Sequence, residues 1–254
     1  MRKNFVKEKM RAGEPSFGVG FLWPSPETVE FCGHLGFEWL WLDLEHGGFD
    51  LQTLSQVVRA AEVSGLVPIG RLPQTDDPEL VLRYMERGLM GIITSHTRSK
   101  EDIEFAVSAV KYPPVGMRSA GSLRSADWGL TQPFAEYCDA SNRETMVMAL
   151  VEDQEGIDNL DEILSVDGLD AVVIGFGDLS LTMGYPGQKS HPEVLAVGRA
   201  AQEKVLASDK ALQVTVQDGE EARQWVKDGA LLLRCSVQKI LAKACTTWLQ
   251  EARG

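Results

Sequence analysis

The chain reads as a single (β/α)8, or TIM, barrel spanning residues 1–254. Two observations predict this fold. Eight strand-like apolar runs alternate with segments of helical period over almost the whole length, the pattern of βα units around a parallel sheet. The length of 254 residues matches the roughly 250 typical of one such barrel. A third observation says where its chemistry should lie. Charged residues stand where apolar runs end, and a parallel barrel gathers its active site at the carboxyl ends of its strands.

The expected strands are 16–22, 38–44, 67–72, 91–95, 146–151, 171–175, 211–216 and 231–235. A strand buried on both faces needs a near-continuous apolar run, and Met146-Val147-Met148-Ala149-Leu150-Val151 is a clear case. The expected helices are 25–35, 50–64, 77–87, 99–110, 156–166, 191–207, 220–228 and 237 to about 252. Asp50 and Ser99 stand at helix starts as capping residues, with Asp102 three positions after Ser99. Gly65, Gly88, Gly168 and Gly229 fall where helices should stop. The segment 112–144 breaks the rhythm. It is long, carries Pro113-Pro114 and three arginines (Arg118, Arg124, Arg143), and is expected to lie over the carboxyl-end face.

Composition removes several function classes. A formal charge of −12 disfavours nonspecific binding to nucleic acid or to an anionic membrane. The start of the chain carries charge without an apolar run behind it, unlike a secretory signal, and no uncharged run is long enough to span a bilayer. Four cysteines without C-x-x-C spacing read as free thiols of a reducing cytoplasm, with Cys32 and Cys235 set in apolar segments.

The candidate site is assembled from strand ends. Glu152 and Asp178 follow adjacent strands, and two carboxylates with open positions around them suit a hard divalent cation. Glycines around Asp178, Gly175 and Gly177, allow a ligand to come close to the backbone. Arg71 closes the third strand, where a guanidinium can hold a carboxylate or stabilise an enolate oxygen; its bland alternative is a salt bridge to Asp43 or Glu45. His46 follows the second strand, and Asp43, three residues earlier, is expected to orient its imidazole as a general base. His96 ends the fourth strand and is a weaker candidate, while His34 and His191 read as structural. No lysine lies inside any expected strand, which disfavours a Schiff base. The loops after the last two strands lack the glycine-rich phosphate cradle that barrels for phosphorylated substrates often carry. No G-x-G-x-x-G follows a strand, so a dinucleotide has no support.

These residues resemble the HpcH/HpaI family of class II pyruvate aldolases. The matching stretches are Asp43-Leu44-Glu45-His46, Arg71-Leu72-Pro73, Lys111-Tyr112-Pro113-Pro114-Val115-Gly116-Met117-Arg118 and Gly175-Phe176-Gly177-Asp178-Leu179-Ser180, which continues through Met183-Gly184-Tyr185-Pro186-Gly187. Their spacing agrees from about residue 15 to 240. The resemblance implies a barrel of the phosphoenolpyruvate/pyruvate type. It implies a divalent metal (Mg2+, with Mn2+ or Co2+ as alternatives) held by Glu152 and Asp178. It implies a 2-oxo acid bound at Arg71, Gly177 and Asp178, with Arg71, His46 and Asp43 as the catalytic set. The reaction implied is reversible cleavage of a 4-hydroxy-2-oxo acid to pyruvate and an aldehyde through a metal-bound enolate. A hexamer with exchanged C-terminal helices is implied as well. The chain departs from the family pattern at Leu150-Val151, Ser95, Ser119 and Phe176-Gly177, which leaves the aldehyde end of the pocket open. Two other readings are a citrate-lyase β-like enzyme acting on acyl-CoA thioesters and a non-catalytic barrel that binds keto acids.

Overall fold

The computed structural model describes residues 1–73 and 75–254. Eight strands, β1 (Ser16–Phe21), β2 (Trp39–Asp43), β3 (Val67–Arg71), β4 (Gly91–Thr94), β5 (Met146–Val151), β6 (Ala171–Ile174), β7 (Ala211–Thr215) and β8 (Leu232–Ser236), close into a barrel in sequence order. Every neighbouring pair is parallel, including β8 against β1. Each strand lies within one residue of its expected limits. The fold is a (β/α)8 barrel.

Alternation along the strands decides what the barrel encloses. Trp39 and Trp41, Val67 and Ile69, Ile93, Met148 and Leu150, Ala171 and Val173, and Leu232 form one buried cluster, the filling of the cylinder. Intervening residues, such as Leu40, Leu42, Ile92, Val147 and Val172, belong to a second cluster shared with the surrounding helices. One further step of two along the enclosed stripe brings six of the strands to or near their carboxyl ends. The residues reached are Asp43, Arg71, Ser95, Glu152, Gly175 and Arg234. The polar mouth is therefore the top of the same stripe that fills the barrel below it.

The helices start where their sequences ask them to. Asp50 and Ser99 each form a capping box, with Thr53 and Asp102, at the heads of the helices Leu51–Val63 and Lys100–Val110. Gly88 and Gly229 end theirs with φ of +105° and +101°, a conformation costly to a residue with a side chain. The expected helix 156–166 is divided into Gln154–Asp158 and Leu160–Leu164 at Asn159, whose backbone leaves helical geometry. Three α-helices were not expected, Phe5–Arg11, Phe134–Glu144 and Phe176–Thr182, nor was the short 3-10 helix Arg124–Gly129.

The segment 112–144 corrects one expectation. It lies at the amino-end face, away from the mouth. The helix Lys100–Val110 descends from the carboxyl end of β4, so whatever links it to β5 must sit at the opposite end of the barrel. Contacts agree with that placement. Lys111 Nζ donates to the carbonyl of Thr145, immediately before β5, and Arg124 pairs with Glu62 and donates to the carbonyl of Arg87, at the end of the helix leading to β4. Beside it the helix Phe5–Arg11 closes the floor. Its Val6 is wholly buried in the barrel cluster with Trp39 and Met146.

Candidate active site

Arg71 organises the mouth. Its guanidinium arises from the last residue of β3, paired in register with Asp43 at the last residue of β2. Nη2 donates to Glu152 Oε1 at 2.9 Å and forms a close ion pair with Glu45, while Nη1 stands 3.8 Å from Asp43 Oδ2. Nε donates to Ser95 Oγ at 3.1 Å, and that hydroxyl donates onward to the carbonyl of Leu72 at 2.6 Å. The arginine, Asp43 and Glu152 are all buried. A planar fork held at this many points is oriented before any ligand arrives, which limits the entropy lost on binding.

Glu152 lies on the residue after β5 and accepts hydrogen bonds from Arg71 and from the backbone N–H of His96. Burial pushes its carboxyl up to about 7 despite the pull of the Arg71 charge, and the neighbouring Asp178 carboxylate adds to the rise. Asp178 sits in the first turn of the helix Phe176–Thr182, which opens straight from β6. The two acids expected at adjacent strand ends thus lie near enough to feel one another's charge. Gly175 keeps the space beside them open. A Cβ there would fall 2.5 Å from Glu152 Cβ and 2.7 Å from its Oε2. Gly177 faces open space.

The donor set fits a hard divalent cation supplied with two protein carboxylates and solvent or substrate oxygens. Among the described residues no group of three or more histidine, cysteine, aspartate and glutamate side chains converges as a metal cage. The described residues thus hold no closed structural metal site.

His46 stands on the rim with its side chain 61% exposed. Asp43 Oδ1 accepts its backbone N–H at 3.0 Å, and the imidazole Nε2 lies 3.4 Å from Glu45 Oε2. The three-residue spacing from Asp43 to His46 builds a turn that fixes the loop backbone, and the carboxylate nearest the ring is Glu45. His96 is more engaged than its sequence position suggested. Its φ of +49° is unusual for a residue with a side chain, and Nδ1 lies 3.2 Å from Asp153 Oδ2 and 3.7 Å from Glu152 Oε1. Asp153 also accepts from Arg98 Nε at 2.9 Å, tying the two loops together. His191 stacks on Tyr185 with ring centroids 3.7 Å apart, in keeping with a structural role.

Sequence reasoning did not single out Ser95 as an acceptor that holds Arg71, nor Asp153 or Arg234. Register alone could have found Arg234, two residues beyond Leu232 on the enclosed stripe.

Comparison with known proteins agrees with this arrangement. Residues 22–242 match the family described as HpcH/HpaI aldolase/citrate lyase. A 4-hydroxy-2-oxo-heptane-1,7-dioate aldolase of Escherichia coli is 31% identical over 245 residues, covering 95% of this chain and 92% of the relative. A hydroxypyruvate/pyruvate aldolase of Pseudomonas aeruginosa is 32% identical over 240 residues, covering 94% of this chain and 88% of the relative. The crystal structure of an HpcH/HpaI aldolase/citrate lyase family protein from Burkholderia cenocepacia J2315 superposes with a TM-score of 0.91 at 27% identity, covering 99% of this chain and 100% of that one. With a family match over residues 22–242 and relatives aligned over nearly its full length, the chain belongs to the HpcH/HpaI aldolase/citrate lyase family.

Proposed function

We propose that the protein is a divalent-metal-dependent aldolase that reversibly cleaves a 4-hydroxy-2-oxo acid to pyruvate, or a close 2-oxo acid, and an aldehyde. The observation that carries this reading is Arg71 bonded to Glu152 in the buried mouth, with Asp178 in the first turn of the helix that opens from the neighbouring strand. The aldolases among the relatives support it.

Glu152 and Asp178 are the residues that would hold Mg2+, Mn2+ or Co2+. Such an ion, when bound, supplies a Lewis acid that polarises the 2-oxo carbonyl. Arg71 directs N–H donors at the oxygen on which negative charge grows as the bond between C3 and C4 breaks. The electron pair of that bond passes into the three-carbon fragment. The C4 hydroxyl becomes the aldehyde carbonyl as its proton leaves. His46, on the rim with its backbone pinned by Asp43, accepts that proton, directly or through water, and Glu45 beside the ring stabilises the imidazolium. A proton delivered to C3 completes the 2-oxo acid product.

The decisive measurement is exchange of the pyruvate methyl protons with deuterium, which needs enolate formation and no aldehyde. Exchange that requires added Mg2+ or Mn2+ is expected. Full-rate exchange or cleavage in metal-stripped protein would refute the metal dependence. Stabilisation by pyruvate without exchange would favour a binding protein over an enzyme.

Assembly into a homo-oligomer, with the C-terminal helix passed between copies, is part of the same proposal. The helix Val237–Arg253 leaves Ile240, Leu241, Trp248 and Leu249 exposed, an apolar stripe that a neighbouring copy would cover. Trp248→Glu is expected to shift the protein to a smaller species in sedimentation. An unchanged mass distribution would remove this helix from the interface. No helix among the described residues is long and apolar enough to cross a membrane.

A further inference from the structure

Arg234 lies at the mouth, takes no part in the proposed chemistry and, unlike His96 and Asp153, has no charged partner among the described residues. It arises near the carboxyl end of β8, on the enclosed stripe above Leu232, and its guanidinium lies over the ring of Trp41 with the carbon 4.1 Å from the centroid. Its side chain makes no hydrogen bond or ion pair among the described residues, and Nε is buried without an acceptor. The surroundings are shaped to receive it. Gly20, on the adjoining β1, leaves the space Nη1 occupies: a Cβ there would come within 2.5 Å of that nitrogen. Burial pulls the guanidinium down to about 10, against the support of Asp43, so the charge is poorly compensated.

Neighbouring polar groups share this want of partners. Ser236 Oγ, two residues further up the same stripe, is buried without a hydrogen bond, and so are both side-chain polar atoms of Gln213 on β7. Desolvated donors left unpaired are costly, and they cluster on the β7–β8 side of the barrel. The acids expected to hold the cation follow β5 and β6, and Arg71 ends β3. β8 lies two strands beyond β6 in the closed order, and Arg71, whose charge also reaches Arg234, is already bonded to Glu45, Glu152 and Ser95, so Arg234 is the arginine left with free donors.

We propose that Arg234 is a specificity-determining residue that receives a second carboxylate of the substrate, carried by the aldehyde fragment, with Ser236 as an auxiliary donor. This rests on the aldolase reading and narrows it to acidic aldehydes. The face of the guanidinium stacked on Trp41 leaves its edge donors free for a carboxylate, the geometry in which arginine binds such groups most strongly. The strongly acidic chain would otherwise repel a doubly charged substrate.

The test compares pyruvate with 4-oxobutanoate and with butanal, which differ in the carboxylate, on the wild type, Arg234→Met and Arg234→Lys. Methionine keeps much of the packing on Trp41. In Arg234→Met the KM for 4-oxobutanoate is expected to rise about tenfold or more with kcat changed far less, while butanal kinetics stay as they were. Arg234→Lys should recover part of the loss. Equal effects on both aldehydes, or none, would overturn the proposal and leave the aldolase standing. Binding is read separately in metal-free protein by thermal shift with succinate against butyrate. Stabilisation by succinate that disappears in Arg234→Met supports the anion site even if no aldehyde is turned over, in which case the aldolase reading fails alone. Equal stabilisation of wild type and variant by succinate overturns the site.

Discussion

The two ends of the barrel both bury charge, and they use it in opposite ways. At the floor, Lys7 Nζ donates to the Thr145 carbonyl at 2.7 Å and pairs with Asp170 at 2.9 Å. Lys111 Nζ donates to the carbonyls of Asn142 and Thr145 and to the Thr145 hydroxyl, all within 2.9 Å. These amines are held largely by backbone acceptors, with Asp170 and the Thr145 hydroxyl beside them, and tie the long segment before β5 to the barrel. At the mouth, charges bond chiefly to other charged side chains: Arg71 to Glu45 and Glu152, His96 to Asp153. Such contacts can be exchanged for a ligand without unravelling the chain. A buried ion committed to the backbone stabilises the fold, while one committed to movable partners is available for chemistry.

That contrast can be broken or sharpened by substitution. Glu152→Ala is expected to have the largest effect, loss of metal binding by calorimetry together with a fall in turnover of about a thousandfold or more. Persistence of stoichiometric metal binding in this variant would move the ion elsewhere. His46→Ala should lower kcat by about a hundred- to ten-thousandfold and leave metal affinity intact, since the exposed ring lies apart from the two acids. Equal loss of metal would make His46 a ligand and merge the two roles. Gly175→Ala, which pushes a methyl group against Glu152 from its Cβ to its carboxylate, should weaken metal affinity by about tenfold and also lower the melting temperature. Lys111→Met is the smallest in catalytic terms. It should cost about 1–3 kcal/mol of unfolding free energy in urea, by leaving buried carbonyls unpaired, while kcat per folded molecule is unchanged. A variant with normal stability and impaired kcat would contradict the division between floor and mouth.

How far the sequence disclosed this molecule depended on how local the cause was. The strands were legible because burial on both faces demands continuous apolar runs, as at Met146–Val151. The position of Asp43, Arg71 and Glu152 at the mouth was legible because a charge at the end of such a run must surface at the carboxyl end of the barrel. The placement of 112–144 went wrong although the answer was available: a connection between a helix and the next strand belongs at the amino end. The helix Phe176–Thr182 escaped because its seven residues begin with Phe176-Gly177 and show no apolar periodicity of useful length. The relation of Asp43 to His46 depended on loop geometry, and three residues of separation serve a backbone turn as readily as a contact between side chains. Arg234 was concealed inside an apolar run, its environment set by Gly20 and Trp41 on strands more than 190 residues away.

The helix Phe5–Arg11 has a consequence for traffic. With Val6 stoppering the base and Trp39, Trp41 and Met148 filling the shaft, the barrel is a cul-de-sac. Anything that reaches the floor of the mouth must back out through the opening by which it entered. A two-part product would then leave in sequence, the piece nearer the rim departing before the piece lodged beneath it.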